Sequence, residues 1–196
     1  MPKDVEFYFD FMSPYSYLAN VALHRLAAER GAVIHYQPLN LPALMKLVGN
    51  RPTTLECKNK GAYVMRDVHR WAQRYHVTLL PNPDWEKVDF AELARGALVA
   101  LEDGRGTAYV NAIFTAHWEK AADLAQRSVL SRVLDEAGFN AERVLARAGA
   151  RKRFADLEQA TRSAAEKGVF GSPTMFVGEE MFFGNDRLDF MTTLIS

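Results

Sequence analysis

Cysteine is nearly absent from this chain, because Cys57 is the only one among 196 residues. A single cysteine excludes an internal disulfide, and proteins without disulfides are typical of a reducing compartment. The sequence also lacks any apolar run long enough to cross a bilayer, and no apolar signal-peptide core follows Met1. We therefore expect a cytoplasmic protein with no membrane partner.

Neither sign of charge is in excess, because 24 Lys and Arg residues balance 24 Asp and Glu residues. A net charge of zero argues against nucleic acid or an anionic membrane surface as the main partner. Metal-ligand spacing is missing too, since His69 and His76 would lie about 10 Å apart on one helix, too far for one ion. No bound metal is predicted. The hydrophobic fraction of 48% is large enough for one folded domain, with or without an insertion.

Bulky apolar residues recur at every second position from 5 to 11, which is typical of a strand with a deeply buried face. Ser13 and Pro14 follow this strand. Serine is preferred at a helix N-cap and proline in the first helical turn, so a helix is predicted from here to Gly31. The Ser13 hydroxyl would then lie where backbone N–H groups point outward and the helix dipole favours an anion. A helix cap without a chemical role explains Ser13 equally well.

The remaining patterns predict a second strand, a long helical block, and then a hairpin and a helix. The strand over 32–36 would pair in parallel with the first strand in a right-handed βαβ unit. Helices are predicted over 41–48, 55–75, 90–101, 107–118, 127–137, 141–148 and 154–167. A hairpin is predicted over 173–183 and a last helix over 187–195.

This order of elements is the outline of the thioredoxin fold, in which a proline loop before the third strand lies beside the first helix. Ser13-Pro14-Tyr15-Ser16 occupies the turn where that fold carries Cys-x-x-Cys, and serines cannot exchange disulfides. We predict an α/β, thioredoxin-like βαβ–ββα domain over residues 1–40 and 150–196. An all-helical insertion over 41–149 would line the substrate pocket.

Six motifs follow one another along nearly the whole chain. They are Phe9-Asp10-Phe11-Met12-Ser13-Pro14-Tyr15-Ser16-Tyr17-Leu18-Ala19-Asn20, Gly49-Asn50-x-Pro52, Lys60-Gly61-x-Tyr63, Arg70-Trp71-Ala72, Val169-Phe170-Gly171-Ser172-Pro173-Thr174-Met175-Phe176, and Gly184-Asn185-Asp186-Arg187-Leu188. Each motif is weak alone. Together they resemble the 2-hydroxychromene-2-carboxylate isomerases, which are relatives of the kappa-class glutathione transferases.

The resemblance implies that glutathione lies across the thioredoxin-like domain as a cofactor. Its sulfur would face Ser13, the predicted catalytic residue. Its cysteinyl backbone would pair with the backbone of Ser172 beside a cis-Pro173, although an X-Pro bond is cis in only about 5–6% of cases. Asn185 and Asp186 would hold the γ-glutamyl carboxylate and amine, and a helix cap is the plainer explanation for both.

Two further positions match residues that line the same site from the helical part. Asn50 would border the glutathione, and Lys60 would lie near its glycyl carboxylate. Turn formation and a solvated surface explain these two residues without a ligand. The family usually has a bulkier apolar residue in place of Ser172, which leaves the backbone pairing unaffected. Arg51 and Asn82 are hypothesised to meet the carboxylate and hydroxyl of the substrate.

The physics of a helix N-terminus is consistent with a bound thiolate. A thiol with a pKa near 8.5 needs about 2.7 kcal/mol of stabilisation of its anion to reach a pKa of about 6.5. A helix N-terminus contributes roughly 0.3–2 kcal/mol and a hydroxyl donor about 1.5–3 kcal/mol. Ser13 could supply both.

The resemblance favours an isomerase that interconverts 2-hydroxychromene-2-carboxylate and trans-o-hydroxybenzylidenepyruvate in aromatic hydrocarbon catabolism, such as naphthalene degradation. The partner would be a small aromatic carboxylate. Two alternatives stay open: a kappa-class transferase that conjugates electrophiles with glutathione, and a non-catalytic module that binds a thiol or peptide. Family analogy also implies a homodimer, with no interface that the sequence identifies.

Overall fold

Four strands form one mixed sheet in the order β2-β1-β3-β4 in the computed structural model, which describes residues 4–195. The strands are β1 (Asp4–Phe9), β2 (Val33–Pro38), β3 (Thr174–Val177) and β4 (Glu180–Phe183). β1 pairs in parallel with β2 and antiparallel with β3, which pairs antiparallel with β4. The predicted thioredoxin-like order is confirmed. Residues 1–3, on which the expectation of no signal peptide partly rests, and residue 196 lie outside the described residues.

The helices connect β1 to β2, fill the segment between β2 and β3, and end the chain. They are α1 (Pro14–Arg30), α2 (Leu41–Leu47), α3 (Thr53–Glu56), α4 (Lys58–Arg74), α5 (Phe90–Glu102), α6 (Gly106–Phe114), α7 (Arg127–Glu136), α8 (Ala141–Ala148), α9 (Arg151–Glu166) and α10 (Leu188–Met191). Short 3-10 turns lie at Trp85–Lys87 and Asn185–Arg187, and a π turn at Thr115–Glu119 continues α6. No helix within residues 4–195 is both long and apolar enough to cross a bilayer.

β1 is a central strand of the sheet, and its aromatic side chains pack closely along the strand and just beyond it. Phe7 and Phe9 are fully buried and stack with ring centroids 5.2 Å apart. Phe11, just beyond the strand, is also fully buried, and its ring centroid lies 5.0 Å from that of Phe114 in α6. Each such side chain contributes about 1.5–3 kcal/mol of burial free energy. Aromatic packing therefore holds the chain in place up to the bend before Ser13.

Both predicted ends of α1 are confirmed. Ser13 is the N-cap, with extended φ and ψ of −82° and 120°. Gly31 follows the last helical residue with φ of 68°, in the left-handed region that glycine adopts without a steric penalty.

The helix predicted over 55–75 is divided into α3 and α4 by Cys57, which has extended φ and ψ of −106° and 103°. The two helices approach closely, because a Cβ added to Gly61 would lie 3.0 Å from the carbonyl oxygen of Thr54. Hydrophobic periodicity cannot detect this break, since one extended residue leaves the spacing of apolar residues within α4 unchanged.

The last helix is also shorter than predicted, since α10 has only four residues instead of the span 187–195. Thr192 and Thr193 each donate a hydroxyl hydrogen bond to a backbone carbonyl three residues earlier. Such hydroxyls compete with helical hydrogen bonds, so the helix ends before them. Ile195 is nevertheless buried, which explains the helix-like spacing of apolar residues.

The predicted division into a domain over 1–40 and 150–196 and an insertion over 41–149 stays a prediction. α5 contacts α6, α8 and α9, and it also contacts β2 of the sheet. One continuous cluster of buried apolar side chains includes β1, α1 and the helices from α4 to α8. The helical segment and the sheet therefore share a core.

Candidate active site

The bend between β1 and α1 places Ser13 beside the loop that precedes β3. Ser13 Oγ accepts the N–H of Ser16 at 3.4 Å and donates to the carbonyl oxygen of Ser172 at 3.4 Å. The peptide bond between Ser172 and Pro173 is cis. The structure thus brings Ser13, Ser172 and Pro173 together at the N-terminus of α1, where backbone N–H groups and the helix dipole favour an anion.

Asp10 and Ser16, which are buried, and Ser172, which is partly exposed, form a polar cluster next to Ser13. Ser16 Oγ and Ser172 Oγ lie 2.6 Å apart, and the N–H of Asp10 donates to Ser172 Oγ at 3.1 Å. Asp10 Oδ2 accepts the N–H of Met12 at 3.0 Å. Asp10 is 3% exposed, and its Oδ1 atom has no hydrogen-bond partner. Burial raises the pKa of Asp10 to about 6, against the opposing effect of the hydroxyl and N–H groups around it.

Asp10 and Ser16 gave no separate signal in the sequence. Asp10 alternates with two phenylalanines, and a polar residue at such a position of a strand typically faces solvent. Ser16 is one small residue in the first turn of a helix. The place of Asp10, directly before the bend that leads to Ser13, is the feature that could have identified it.

Trp118, in the π turn after α6, reaches the same bend from the helical region. Its Nε1–H donates to the carbonyl oxygen of Phe11 at 3.1 Å, and its own carbonyl oxygen accepts the N–H of Leu80 at 2.7 Å. The helical region therefore borders the chain directly before Ser13, which is itself partly exposed.

The turn after β4 lies beside Pro173. The N–H of Gly184 donates to the carbonyl oxygen of Pro173 at 2.9 Å, and the 3-10 turn that follows contacts α1. Asn185 is 3% exposed, and its side-chain Nδ2 has no hydrogen-bond partner. Asp186 is exposed and pairs with the arginine that follows it. The structure thus brings Asn185 and Asp186 to the same end of the sheet as the N-terminus of α1.

Asn50 and Arg51 lie in the connection between α2 and α3. Asn50 Nδ2 donates to the carbonyl oxygen of Phe170 at 2.8 Å, two residues before Ser172. Arg51 is exposed, and its guanidinium pairs with the carboxylate of Glu56 at 2.9 Å. Asn50 therefore borders the loop that carries Ser172, whereas Arg51 is engaged within its own segment.

Lys60 lies in the first turn of α4, where its ammonium group donates to the hydroxyl of Thr53. Asp67 is seven residues further on, so both side chains lie on one face of α4, about 10 Å apart. Asp67 accepts the hydroxyl of Tyr15 in α1 at 2.8 Å and that of Tyr63 at 3.3 Å. The face of α4 that carries Lys60 is therefore the face turned to the first turn of α1.

Asn82 is buried within the helical region and is 6% exposed. Its Nδ2 donates to the carbonyl oxygen of Ala122 at 3.0 Å and lies 3.4 Å from His117 Nδ1. Its Oδ1 accepts the N–H of Asp84 at 3.0 Å. These contacts hold the turn after Leu80 in place, and the contact of Asn82 with a substrate stays a prediction.

The polar groups at the N-terminus of α1 are hydroxyls, amides and carboxylates. Among residues 4–195, no group of three or more His, Cys, Asp and Glu side chains is placed to hold a metal ion. The arrangement suits hydrogen bonding to an anionic atom: Asn185 Nδ2 is a donor without a partner, and the Ser13 hydroxyl makes only a long hydrogen bond of 3.4 Å.

The chain matches the family model described as a DSBA-like thioredoxin domain over residues 4–196. It is also 34% identical, over 196 residues, to the 2-hydroxychromene-2-carboxylate isomerase of Sphingobium xenophagum, which covers 100% of this chain and 99% of the relative. The chain belongs to the 2-hydroxychromene-2-carboxylate isomerase family. The resemblance predicted from the sequence motifs is thereby confirmed.

A solved structure of a 2-hydroxychromene-2-carboxylate isomerase agrees with this family assignment. It superposes with a TM-score of 0.89 at 32% identity and covers 97% of this chain and 93% of its own. Glutathione S-transferase kappa 1 of Caenorhabditis elegans is more distant, at 28% identity over 210 residues, with 100% of this chain and 92% of the transferase covered. The isomerase of Sphingobium xenophagum thus matches this chain over its whole length, and the kappa-class transferase is a more distant relative.

The buried His117 in the π turn is expected to make this isomerase-family protein less stable in mild acid. Burial lowers its pKa from 6.5 to about 4, and its Nε2 atom has no hydrogen-bond partner. The unfolded chain takes up this proton near pH 6.5, whereas the folded chain takes it up only near pH 4. Stability is therefore complete above pH 6.5 and is lost as the pH falls. Between pH 7.5 and pH 5 the free energy of unfolding should drop by about 2 kcal/mol through this group.

Denaturant titrations at pH 7.5 and pH 5 test the role of His117. The stability of His117→Gln should change by about 2 kcal/mol less between the two pH values than that of the wild type. His69→Gln, at an exposed position of α4, is the matched control and should behave like the wild type. Asp10, whose raised pKa acts in the opposite direction, is present in all three proteins and cancels from the comparison. Equal pH dependence of wild type and His117→Gln would contradict the expectation.

Proposed function

We propose that the protein interconverts 2-hydroxychromene-2-carboxylate and trans-o-hydroxybenzylidenepyruvate with glutathione as cofactor. The observation that carries this proposal is the Ser13 hydroxyl at the N-terminus of α1, next to the cis bond before Pro173. An anionic sulfur above Ser13 would receive a hydroxyl hydrogen bond and face the positive end of the helix dipole. The name of the full-length relatives supports the chromene carboxylate as substrate.

The polar groups around Ser13 fit a tripeptide thiol. Both contacts of the Ser13 hydroxyl are 3.4 Å long, so a closer acceptor could replace them. Asn185 Nδ2 is buried without a partner, which costs about 1–3 kcal/mol and would be relieved by a ligand carboxylate. When bound, glutathione would supply the thiolate that adds to a conjugated carbon of the substrate and is released again.

The other parts of the tripeptide would be held by groups around the proline loop. The backbone of Ser172 would pair with the cysteinyl residue, as a strand edge pairs with an extended peptide. Asn185 and Asp186 would bind the γ-glutamyl carboxylate and amine, an amide for the anion and a carboxylate for the cation. Asn50 and Lys60 would border the glycyl end, where the ammonium group attracts a carboxylate.

Two residues are proposed to meet the chromene itself. Arg51 carries an exposed guanidinium, which can bind a carboxylate through two parallel hydrogen bonds once it leaves Glu56. Asn82 would have to give up one of its internal hydrogen bonds to reach a substrate hydroxyl. We therefore expect Arg51 to contribute more to substrate binding than Asn82.

Counting free thiols separates isomerisation from conjugation. The protein is mixed with chromene carboxylate and a limiting amount of glutathione, and substrate and free thiol are measured together. We expect many turnovers per glutathione, a constant amount of free thiol, and no turnover when glutathione is left out. Thiol loss equal to substrate loss would favour the kappa-class transferase, in line with the more distant relative. Glutathione binding without turnover would favour a non-catalytic module.

We also infer that the protein acts in the cytoplasm as a homodimer. Its one cysteine, Cys57, is exposed and unpaired, as in proteins of reducing compartments. Met181 and Phe183, on the edge strand β4, are exposed, and exposed apolar strands are typical of surfaces that pair with another chain.

A further inference from the structure

We propose that Asp10 holds the proton that leaves the bound thiol, so that the site keeps one negative charge whether or not a thiolate lies above Ser13. The inference rests on the proposed function, because it concerns the thiol of that reaction. It adds a proton-holding role for a carboxyl group that would not itself touch the substrate. Asp10 would thus act on the reaction through its charge and its proton, without contact to the reacting atoms.

The geometry that carries the proposal is an unpaired carboxylate oxygen buried at the N-terminus of α1. Asp10 is 3% exposed, and Oδ1 lacks a partner, whereas Oδ2 accepts the N–H of Met12. A carboxylate has no proton to donate, and a buried, half-satisfied carboxylate is costly to keep ionised. Protonation removes its charge. The structure therefore contains a carboxyl group that is poised to gain a proton.

Ser172 contacts both Asp10 and Ser13. Ser13 Oγ donates to the carbonyl oxygen of Ser172, and Ser172 Oγ accepts the N–H of Asp10. Ser172 Oγ is also 2.6 Å from Ser16 Oγ, so the hydroxyls between the two sites are in mutual contact. An anion bound at Ser13 would therefore share its surroundings with the Asp10 carboxyl group.

Two negative charges in these surroundings would oppose each other. Charges 6–8 Å apart at an effective dielectric constant of about 20 shift each other's pKa by about 1.5–2 units. The helix N-terminus stabilises one anion more than it stabilises a second one. The bound thiol and the Asp10 carboxyl group would therefore titrate as a coupled pair that keeps one proton. The pKa of Asp10, raised to about 6 before any ligand binds, makes this carboxylate a ready acceptor.

The other ionisable groups on the surrounding elements already have partners of their own. On β1, Tyr8 donates its hydroxyl to Glu6, and on α1, Tyr15 donates to Asp67 in α4. In the turn after β4, Asp186 pairs with the arginine that follows it. Burial has the largest effect on the pKa of Asp10, and hydrogen bonds from uncharged hydroxyl and N–H groups come next. No charged side chain is among the main influences on the pKa of Asp10, so a new anion at Ser13 would add a charge effect that is now lacking.

The proton balance of binding follows from this arrangement. The S–H bond of glutathione breaks, and an O–H bond forms at the Asp10 carboxyl group. This proton balance depends on where the proton resides at equilibrium and not on the route by which it is transferred. Most of the thiol proton should therefore stay on the protein. If Asp10 cannot accept the proton, nearly one proton per bound glutathione must be released at pH 7.5, because free thiol is then mostly protonated.

Calorimetry of glutathione binding at pH 7.5, in buffers with different ionisation enthalpies, measures this release. We expect less than about 0.3 proton released by the wild type and about 0.9 by Asp10→Asn, with thiolate absorbance in both. Asp156→Asn, a remote carboxyl group in α9, should behave like the wild type. S-methylglutathione, which has no thiol proton, should release none from any variant. Equal release by wild type and Asp10→Asn would overturn the proposal.

An infrared difference spectrum keeps the proposal testable with the wild type alone, should Asp10→Asn fail to fold. Glutathione should produce the band of a protonated carboxyl group, and S-methylglutathione should not. Thiolate absorbance without that band would overturn the role of Asp10 and leave the proposed function intact. Binding without thiolate absorbance would contradict the proposed function itself, so the two failures are distinguishable.

Discussion

Ser13→Ala should lower kcat/KM for the chromene carboxylate at pH 7 by about 4- to 40-fold at saturating glutathione, because the fraction of thiolate falls. The hydroxyl is the side-chain donor at the N-terminus of α1 that an anionic sulfur would meet, and a hydrogen bond to a charged group is worth about 1.5–3 kcal/mol. Alanine also removes the contact to Ser16 N–H, which the anion itself would then take over. The measurement is steady-state kinetics of substrate loss.

The pH dependence identifies the cause of the loss in Ser13→Ala. Above pH 8.5 a thiol ionises without help, so the gap to the wild type should largely close by pH 9. Ser163→Ala, at an exposed position of α9, is the control and should match the wild type at every pH. A gap that stays constant from pH 7 to pH 9 would mean that Ser13 does not act through the ionisation of the thiol.

Phe9→Ala should lower the free energy of unfolding by about 3–5 kcal/mol, the range for phenylalanine in a packed core. The Phe9 ring is fully buried in the central strand β1 and lies against the rings of Phe7, Tyr36 and Phe114. The cavity would be lined by aromatic rings from three elements, which cannot all collapse into it. For a chain of this size, the melting temperature should fall by about 6–20 °C, measured by calorimetry.

Phe190→Ala is the matched control for Phe9→Ala. Phe190 belongs to α10 and is 64% exposed, so its removal should change the free energy of unfolding by less than about 0.5 kcal/mol. A loss of under about 1 kcal/mol for Phe9→Ala would contradict the view that β1 is held by close packing on this face.

The elements that carry the predicted active site were accessible from the sequence because their signals are local. The alternation before Ser13, the Ser-Pro start of α1 and the glycine at its end each depend on neighbouring residues, and the structure has all three. The same holds for the strand after Pro173. The motifs then placed the chain in its family, because they combine local signals in a fixed order.

The polar cluster next to Ser13 was not accessible in this way. Ser16 and Ser172 are 156 positions apart in the chain, and Asp10 and Ser172 are 162 apart. Periodicity and capping rules describe neighbours within a few residues, so they contain no information about such contacts. The unpaired oxygen of Asp10 is also a property of the folded chain alone. The sequence therefore predicts where the hydroxyl of Ser13 lies but not what surrounds it.

The indole of Trp118 limits which helical regions can be exchanged into this chain. A chimera that imports its helical region from another protein would also replace the donor that binds the carbonyl oxygen of Phe11. Without an equivalent ring, that oxygen loses a hydrogen bond worth about 1 kcal/mol, two residues before Ser13. Such a graft would hold the bend before Ser13 less firmly, because it loses one hydrogen bond between the helical region and this bend. Retaining tryptophan at position 118 is the corresponding design rule.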